Sequence, residues 1–269
     1  MSQDSKYVLA TGATATPRLR LLNEIFGPAS RQLLINAGLR SGQRAAEFGC
    51  GTGLMALWMA KQVGNAGSVC AVDASPEQLQ IAGQAATAAG LKNVSLHPAD
   101  AYNTRLAPGE FDLVYSRFLF CHLTRPAEAL AEMRRLLKAG GMLVAEDFEM
   151  SSVRTYPSTA AYTRLVEISR AVDARLSVNS DIGTNLHTMF RDAGFPRPEI
   201  AIQQTVFLCG EAKRFWEMTL REAAPAIVAC GAATADELQS LLTEMDQIAR
   251  DDTILVLVAR VFQLWASKS

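Results

Sequence analysis

The glycines that follow a short apolar run are the residues whose type and spacing first indicate a chemical role. The run Arg44–Phe48 is followed by Gly49, Gly51 and Gly53. A helix-like stretch, Leu54–Gln62, comes next. Glycine lets the backbone turn sharply and approach a ligand where a Cβ would collide with it. A glycine loop between a strand and a helix is typical of a site for a nucleotide-containing cofactor.

The identity of that cofactor depends on the spacing and on the residue just before the loop. The dinucleotide pattern G-x-G-x-x-G does not fit, because position 54 is Leu and the third glycine falls one residue early. Glu47 places a carboxylate where a pyrophosphate needs bare N–H groups. The carboxylate suits a cofactor that has no phosphate and carries an ammonium and a sulfonium. S-adenosylmethionine (SAM) is such a cofactor.

Carboxylates also follow the next two predicted strands. Asp73 follows Ser68–Val72, where it could bind both ribose hydroxyls or simply form an Asx turn at a helix start. Asp100 and Ala101 follow Val94–Leu96, where they could bind the adenine amino group and a ring nitrogen. Open α/β sheets bind ligands at the carboxyl ends of their strands, so this ordered set is more specific than any one member.

Alternation of short apolar runs with helical patterns predicts the elements that hold these residues. The remaining predicted strands are Phe111–Ser116, Met142–Glu146, Glu199–Leu208 and Thr253–Trp265. Helices are predicted at 75–90 and 126–138, the first with Ser75 as N-cap and Gln78 closing a capping box. We expect an α/β fold with a Rossmann-like, seven-stranded, mostly parallel sheet whose last strand need not be parallel.

Further helical patterns predict a cap over this sheet. They cover residues 17–37, 158–178, 181–193, 211–230 and 234–250. We expect an N-terminal helical lid over 1–38 and a cofactor-binding domain over 39–269. Helical insertions are expected at about 155–180 and 210–250.

The amino-acid composition argues against several classes of binding partner. Of 269 residues, 49% are apolar and 20% charged, and the net charge of −1 predicts neither nucleic-acid nor membrane binding. The five scattered cysteines favour reduced thiols over disulfides or a metal site, which indicates a cytoplasmic protein. The assembly is left open, with a homodimer as one option.

Several motifs resemble those of the class I SAM-dependent methyltransferases. The resemblance is close over about residues 40–150 and loose over the rest, and more narrowly it is to the ubiquinone/menaquinone-methylase-like, small-molecule and natural-product members. It rests on Glu47-Phe48-Gly49-Cys50-Gly51-Thr52-Gly53, Val72-Asp73-Ala74-Ser75-Pro76-Glu77-Gln78-Leu79, Asp100-Ala101, Phe111-Asp112-Leu113-Val114-Tyr115-Ser116-Arg117 and Leu137-Lys138-Ala139-Gly140-Gly141.

The resemblance implies a set of cofactor-binding residues. The set is Tyr7, Glu47, Gly49, Cys50, Gly51, Gly53, Asp73, Ala74, Gln78, Asp100, Ala101, Ser116 and Arg117. Gly49 and Gly51 would pack on the methionyl end, Asp73 would hold the ribose, and Ala74 and Gln78 would flank the adenine. The Ser116 carbonyl and Arg117 would face the methionyl ammonium or carboxylate, and Tyr7 would close over the cofactor from the N-terminal lid.

Catalytic candidates are fewer, because methyl transfer needs alignment and, for oxygen or carbon acceptors, a base. His122, just beyond the fourth strand, is the candidate base; the alternative is a histidine that packs within its own turn. Asp147, at the end of the fifth strand, could accept a proton, pair with Arg117 or contact solvent. Ser116 supplies no carboxylate for a magnesium-dependent reaction, and we expect no metal.

The side chains of the cap indicate an apolar acceptor site. The candidates for its lining are Phe148, Tyr156, Tyr162, Phe215, Trp216 and Met218. We therefore expect a methyltransferase that uses SAM to methylate an O, N or C atom of a small, partly apolar acceptor, such as a natural product or a quinone-like molecule. A SAM-binding enzyme that does not methylate, such as a cyclase, is the alternative. A second alternative is a nicotinamide-dependent oxidoreductase. Glu47 and the spacing of the glycine loop argue against it.

Overall fold

A computed structural model describes residues 9–195 and 197–269 of the chain. The helices are α1 Thr16–Asn36, α2 Leu54–Val63, α3 Pro76–Ala88, α4 Pro126–Leu136, α5 Ala160–Leu176, α6 Leu186–Asp192, α7 Phe215–Ala229 and α8 Ala235–Arg250. The strands are β1 Arg44–Phe48, β2 Ser68–Asp73, β3 Val94–Pro98, β4 Phe111–Arg117, β5 Leu137–Glu149, β6 Arg154–Tyr156, β7 Glu199–Gln203, β8 Val206–Phe207, β9 Leu255–Leu257 and β10 Arg260–Ser267.

The main sheet has seven strands in the order β3-β2-β1-β4-β5-β10-β7. Strands β1 to β5 pair in parallel, and β10 is antiparallel to both β5 and β7. The predicted Rossmann-like, mostly parallel sheet is confirmed, and the structure shows that the last strand, whose direction the sequence left open, is antiparallel. Because β1 lies between β2 and β4, the chain changes direction across the sheet there, and this is where open α/β sheets leave a crevice for a ligand.

Two predicted strands are wrong as single elements. The structure breaks 199–208 into β7 and β8, and 253–265 into β9 and β10. Strands β8 and β9 join β6 in a second, three-stranded sheet in the order β6-β9-β8. At the break, the Gln204 side-chain amide donates to the carbonyls of Ser152 (3.3 Å) and Val258 (3.2 Å), so the polar groups of the crossing chain are satisfied there.

Local signals place the start of α3 where it was expected, with one correction. The Ser75 hydroxyl accepts a hydrogen bond from the Gln78 backbone N–H (3.3 Å), and Pro76 occupies the first turn. The reciprocal bond of a capping box is absent, because the Gln78 side chain is buried and its Oε1 has no hydrogen-bond partner among the described residues. The capping box is instead at α8, between Thr234 and Glu237.

Strand β5 is longer than predicted and begins directly after α4. Lys138 was expected in the helix but lies in the strand, where its Nζ is 2.6 Å from Asp112 Oδ1 of β4. Pairing with the neighbouring strand therefore overrides the helical pattern at this point.

Three apolar clusters hold the described residues together. Each face of the main sheet has one, with α4 and α6 on one face and α2, α3 and the end of α1 on the other. The third forms the cap and joins the first half of α1 to α5, α7, α8 and the small sheet. Helix α1 thus belongs to both the cap and the sheet, and it brings cap residues to the strand ends.

Candidate functional site

The glycine loop has the backbone conformation that the sequence indicates. Gly49, Gly51 and Gly53 have φ values of 67°, 52° and 79°, a region that L side chains rarely adopt. A Cβ on Gly53 would lie 2.8 Å from the Cβ of Ala82, so this glycine lets the loop pack on α3. Among the described residues, a Cβ on Gly51 would come within 4 Å only of the Leu19 side chain, at 3.7 Å, so these residues leave the loop open at this glycine.

Asp73, at the end of β2, joins the loop to the start of α3. Its Oδ2 accepts the Gly51 N–H and its Oδ1 accepts the Ser75 N–H, both at 2.8 Å. Burial raises the pKa of this carboxyl, and the backbone N–H donors oppose that rise. Each carboxylate oxygen has a second lone pair, so the group can hold the loop and still accept hydrogen bonds from a ribose.

Glu47 lies at the centre of the strand ends and is buried. Its Oε2 has no hydrogen-bond partner among the described residues. Burial raises its pKa to about 8, although the Arg117 guanidinium and the Ala56 backbone N–H favour the ionised form. A buried, unpartnered carboxylate oxygen is costly unless a cationic ligand compensates it.

The other predicted adenine-side residues surround the same edge of the sheet. Gln78 is buried and its Oε1 has no hydrogen-bond partner among the described residues, whereas Ala74 is exposed. Asp100 lies two residues past β3, where its Oδ1 accepts the Tyr102 N–H (2.9 Å) and its backbone forms a bridge to Asn103. The unpartnered Gln78 oxygen is a hydrogen-bond acceptor that a ligand can use.

The end of β4 is tied to α1. Arg117 donates from Nη1 to Ser30 Oγ and from Nη2 to Asn23 Oδ1, both at 3.1 Å. Ser116 is buried and its Oγ has no partner within the described ranges. The guanidinium of Arg117 is therefore held in place before any ligand binds, close enough to Glu47 to influence its ionisation.

The two catalytic candidates lie at one turn. Asp147 Oδ2 accepts the Cys121 N–H (3.3 Å), and its Oδ1 accepts the Phe148 N–H (2.9 Å). Cys121 belongs to the 3₁₀ turn Phe120–His122, so the buried Asp147 carboxylate anchors the turn that carries His122. Burial raises the pKa of Asp147 to about 6. Burial and the Arg18 guanidinium lower the pKa of His122 to about 4.

Aromatic rings of the cap pack beside this turn. Phe148 stacks on Phe118 with ring centroids 3.8 Å apart, and Trp216 lies 5.9 Å from Phe148. Trp216 is buried, yet its indole N–H has no acceptor in the described part of the chain. Tyr156 was a wrong candidate for this lining, because 54% of it is exposed on β6 of the small sheet.

Sequence reasoning missed the polar residues that α1 and α7 bring to the site. Arg18 is buried in the first turn of α1, and its Nε donates to Glu222 Oε2 of α7 at 2.7 Å. The signal was available, because Arg18 falls on the same helix face as Leu21, Leu22 and Phe26. A charge on the apolar face of an amphipathic helix indicates a specific partner.

Three further expectations concern Tyr7, a metal site and a membrane-spanning helix. Tyr7 lies outside the described residues. Within residues 9–195 and 197–269 no group of His, Cys, Asp and Glu side chains has the arrangement of a metal site. No helix in the same ranges combines the length and apolar character needed to cross a bilayer.

Comparison with known proteins agrees with this geometry. Residues 46–145 match the family described as "Methyltransferase domain", a span that runs from β1 to β5. Aklanonic acid methyltransferase from Streptomyces sp. (strain C5) is 32% identical over 52% of this chain and 66% of its own length. Demethylmenaquinone methyltransferase from Staphylococcus aureus is 34% identical over 42% of this chain and 46% of its own length. The chain thus spans about half to two thirds of the length of these curated relatives.

Solved structures share the fold. A SAM-dependent methyltransferase from Aquifex aeolicus superposes with a TM-score of 0.51 and 24% identity, over 68% of this chain and 84% of that one. The cyclase SpnF superposes with a TM-score of 0.57 and 19% identity, over 98% of this chain and 95% of that one. The family match, the relatives and the shared fold lead to one conclusion: residues 46–145 are a methyltransferase domain with the class I SAM-dependent fold, and SAM is its cofactor.

Proposed function

We propose that this chain uses SAM to methylate an O, N or C atom of a small, partly apolar acceptor. The observation that carries the proposal is the buried Glu47 Oε2, which has no partner among the described residues and lies beside a glycine loop with an open side at Gly51. An ammonium group would satisfy that oxygen, whereas a pyrophosphate would be repelled by it. SAM supplies an electrophilic methyl group on a sulfonium.

In this proposal, residues at successive strand ends bind different parts of SAM. Glu47 pairs with the methionyl ammonium, and Arg117, already held by α1, faces the methionyl carboxylate. Asp73 accepts the ribose hydroxyls with the lone pairs that the loop leaves free. Gln78, Asp100 and the other adenine-side residues bind the base.

His122 is the base in this proposal, and Asp147 positions it. With a pKa of about 4, the imidazole is neutral at pH 7, the form that can accept a proton from an acceptor O–H or C–H. The Asp147 carboxylate fixes the 3₁₀ turn through the Cys121 N–H. Replacing His122 with Ala should therefore lower kcat and leave SAM affinity unchanged. Unchanged kcat would leave alignment as the only catalytic device.

Three observations support a small, partly apolar acceptor. The cap places Phe118, Phe148 and Trp216 beside the His122 turn. The two curated relatives carry the names of an aklanonic acid and a demethylmenaquinone methyltransferase. The net charge of −1 offers no electrostatic attraction for nucleic acid, which also favours a small molecule.

A cyclase is the second candidate, because SpnF shares the fold over 98% of this chain. Both functions need the same cofactor-binding residues. They differ in whether the methyl group is transferred from SAM to the acceptor. The first experiment is calorimetric titration with SAM, S-adenosylhomocysteine and NADH in parallel. Binding of the two adenosyl ligands without NADH supports the proposal, and binding of NADH alone overturns it.

Turnover then separates the two SAM-binding candidates. Acceptors such as hydroxyquinones and polyketide phenols would be screened by coupled detection of S-adenosylhomocysteine. Stoichiometric formation of S-adenosylhomocysteine and a product heavier by one methylene unit supports methylation. An acceptor that is converted to an isomer without that by-product would establish the cyclase instead.

A further inference from the structure

Arg18 has more hydrogen-bonding capacity than its protein partner uses. Its side chain is only 3% exposed, and its Nε donates to Glu222 Oε2 at 2.7 Å. The Nη2 atom of the same guanidinium is buried and has no acceptor among the described residues. A buried charged donor without an acceptor costs free energy that a ligand oxygen can recover.

The position of Arg18 places this spare donor at the boundary between the cofactor loop and the cap. The next residue, Leu19, is the nearest neighbour of the space beside Gly51. Glu222 lies on α7, which also carries Trp216 of the aromatic cluster. The Arg18 guanidinium is also close enough to the His122 imidazole to disfavour its protonation. Arg18 therefore lies near the His122 turn, on the helix that borders the glycine loop and paired with the helix that carries Trp216.

The chemistry of arginine narrows what the spare donor can bind. The planar guanidinium offers five N–H donors in a rigid arrangement, and the hydrogen bond to Glu222 uses the one on Nε. A lysine would suffice for that ion pair alone. The remaining Nη2 donor suits an oxygen with negative charge, for which charge-assisted bonds are short and strong.

We propose that Arg18 Nη2 binds an anionic oxygen of the methyl acceptor, either a carboxylate or an ionised enol. This inference rests on the proposed function, since it concerns the acceptor of the same site. Arg18 is then a specificity-determining residue: Glu222 holds the guanidinium, and the acceptor anion completes its hydrogen bonds. Aromatic acceptors with an acidic oxygen would bind better than neutral analogues of the same shape.

The test uses the complex with S-adenosylhomocysteine and two pairs of matched probes. The carboxylate pair is 2-naphthoate and 2-naphthamide, and the enol pair is 4-hydroxycoumarin and coumarin. Affinities are measured by calorimetry for the wild-type chain, for Arg18→Lys and for the double variant Arg18→Gln/Glu222→Gln. Arg20→Gln, an exposed charge on the same helix, is the control.

The wild-type complex should bind one anionic probe at least about tenfold more tightly than its neutral partner, as one charge-assisted hydrogen bond allows. The preferred pair then tells carboxylate from enol. Arg18→Lys keeps a charge for Glu222 and should lose that preference, while the control keeps it. Both Arg18 variants should retain wild-type affinity for S-adenosylhomocysteine and a wild-type thermal midpoint.

The opposite results separate the two proposals. If S-adenosylhomocysteine binds but anionic and neutral probes bind equally, or if Arg18→Lys keeps the preference, the assignment of Arg18 is wrong and the proposed function stands. If S-adenosylhomocysteine fails to bind the wild-type chain, the proposed function itself fails.

Discussion

The cofactor edge of the sheet and the cap build their polar sites in different ways. At the cofactor edge, Asp73 accepts backbone N–H groups of Gly51 and Ser75, which lie within one βα unit of it. In the cap, Arg18 reaches Glu222, 204 residues away. The Ser75 contact is local, the Gly51 contact spans 22 residues and needs only the pairing of the neighbouring strands β1 and β2, and the Arg18–Glu222 contact exists only when α1 and α7 pack together. The comparison teaches that the polar contacts at the cofactor edge form within neighbouring βα units, whereas the polar contact in the cap depends on packing between segments far apart in the chain.

The largest effect should follow from Asp73→Ala. The variant loses the two backbone hydrogen bonds of the loop and the proposed ribose contacts, so affinity for S-adenosylhomocysteine should fall by about 100-fold or more. Calorimetry measures this loss, and Asp252→Ala, an exposed carboxylate, is the control. Retained binding would show that the ribose assignment is wrong.

Glu47→Gln should have the next largest effect, about 30-fold on S-adenosylhomocysteine affinity at pH 8, from loss of one charge-assisted contact. Affinity for 5′-methylthioadenosine, which lacks the amino-acid group, should not change. This ligand therefore distinguishes loss of the ammonium contact from damage to the loop. An equal loss for both ligands would contradict the assignment.

The same carboxyl predicts a pH dependence. Because the pKa of unliganded Glu47 is about 8, the group is mostly protonated at pH 6.5 and must lose a proton to pair with an ammonium. Arg117 and Asp73 are the charged groups that influence it across the strand ends, in opposite directions. The affinity of the wild-type chain for S-adenosylhomocysteine should therefore rise roughly tenfold from pH 6.5 to 8. Glu47→Gln and 5′-methylthioadenosine should give flat profiles.

Glu132→Gln tests whether a charged side chain stabilises the loop after Asp100 at the cofactor edge. Glu132 of α4 accepts hydrogen bonds from the Thr104 N–H (2.9 Å) and Arg135 Nε (2.7 Å), which hold the loop after Asp100. Burial raises its pKa, but the Arg135 and Thr104 donors outweigh burial and bring the pKa down to about 2, from an ordinary value of 4.5. A lowered folded-state pKa stabilises the protein above pH 4.5, and that contribution is lost as the pH falls toward 2.

Chemical denaturation should therefore show Glu132→Gln to be less stable by about 1–2 kcal/mol at pH 7, with the difference shrinking below pH 4.5. Glu128→Gln, an exposed carboxylate on the same helix, is the control. A difference that persists unchanged at pH 3 would show that the charge of Glu132 is not what stabilises the loop.

Thr234→Ala should have the smallest effect and confine it to the cap. The variant removes the N-cap hydrogen bond of α8, in which the Thr234 hydroxyl accepts the Glu237 N–H at 3.2 Å. Its loss should lower the free energy of unfolding by about 1 kcal/mol. Thr243→Ala, an exposed site inside the same helix, should cost nothing. Affinity for S-adenosylhomocysteine should stay unchanged, and a loss there would show that the two regions are coupled.

The sequence by itself determined the fold class and the composition of the cofactor edge. Alternating runs identified the strands from β1 to β4, and the three glycines adopt the left-handed conformations for which glycine is suited. Such signals can be read because strand, turn and helix-start preferences depend on a few neighbouring residues. The roles of the individual site residues stay predictions.

Tertiary structure decided what no local pattern contains. It split 199–208 and 253–265 between two sheets, left Glu47 Oε2 and Gln78 Oε1 without partners among the described residues, and assigned Asp147 to the turn that carries His122. It also paired Arg18 with Glu222. These features depend on which distant segments share a cluster, and burial and electrostatic partners are set by that packing rather than by neighbours along the chain.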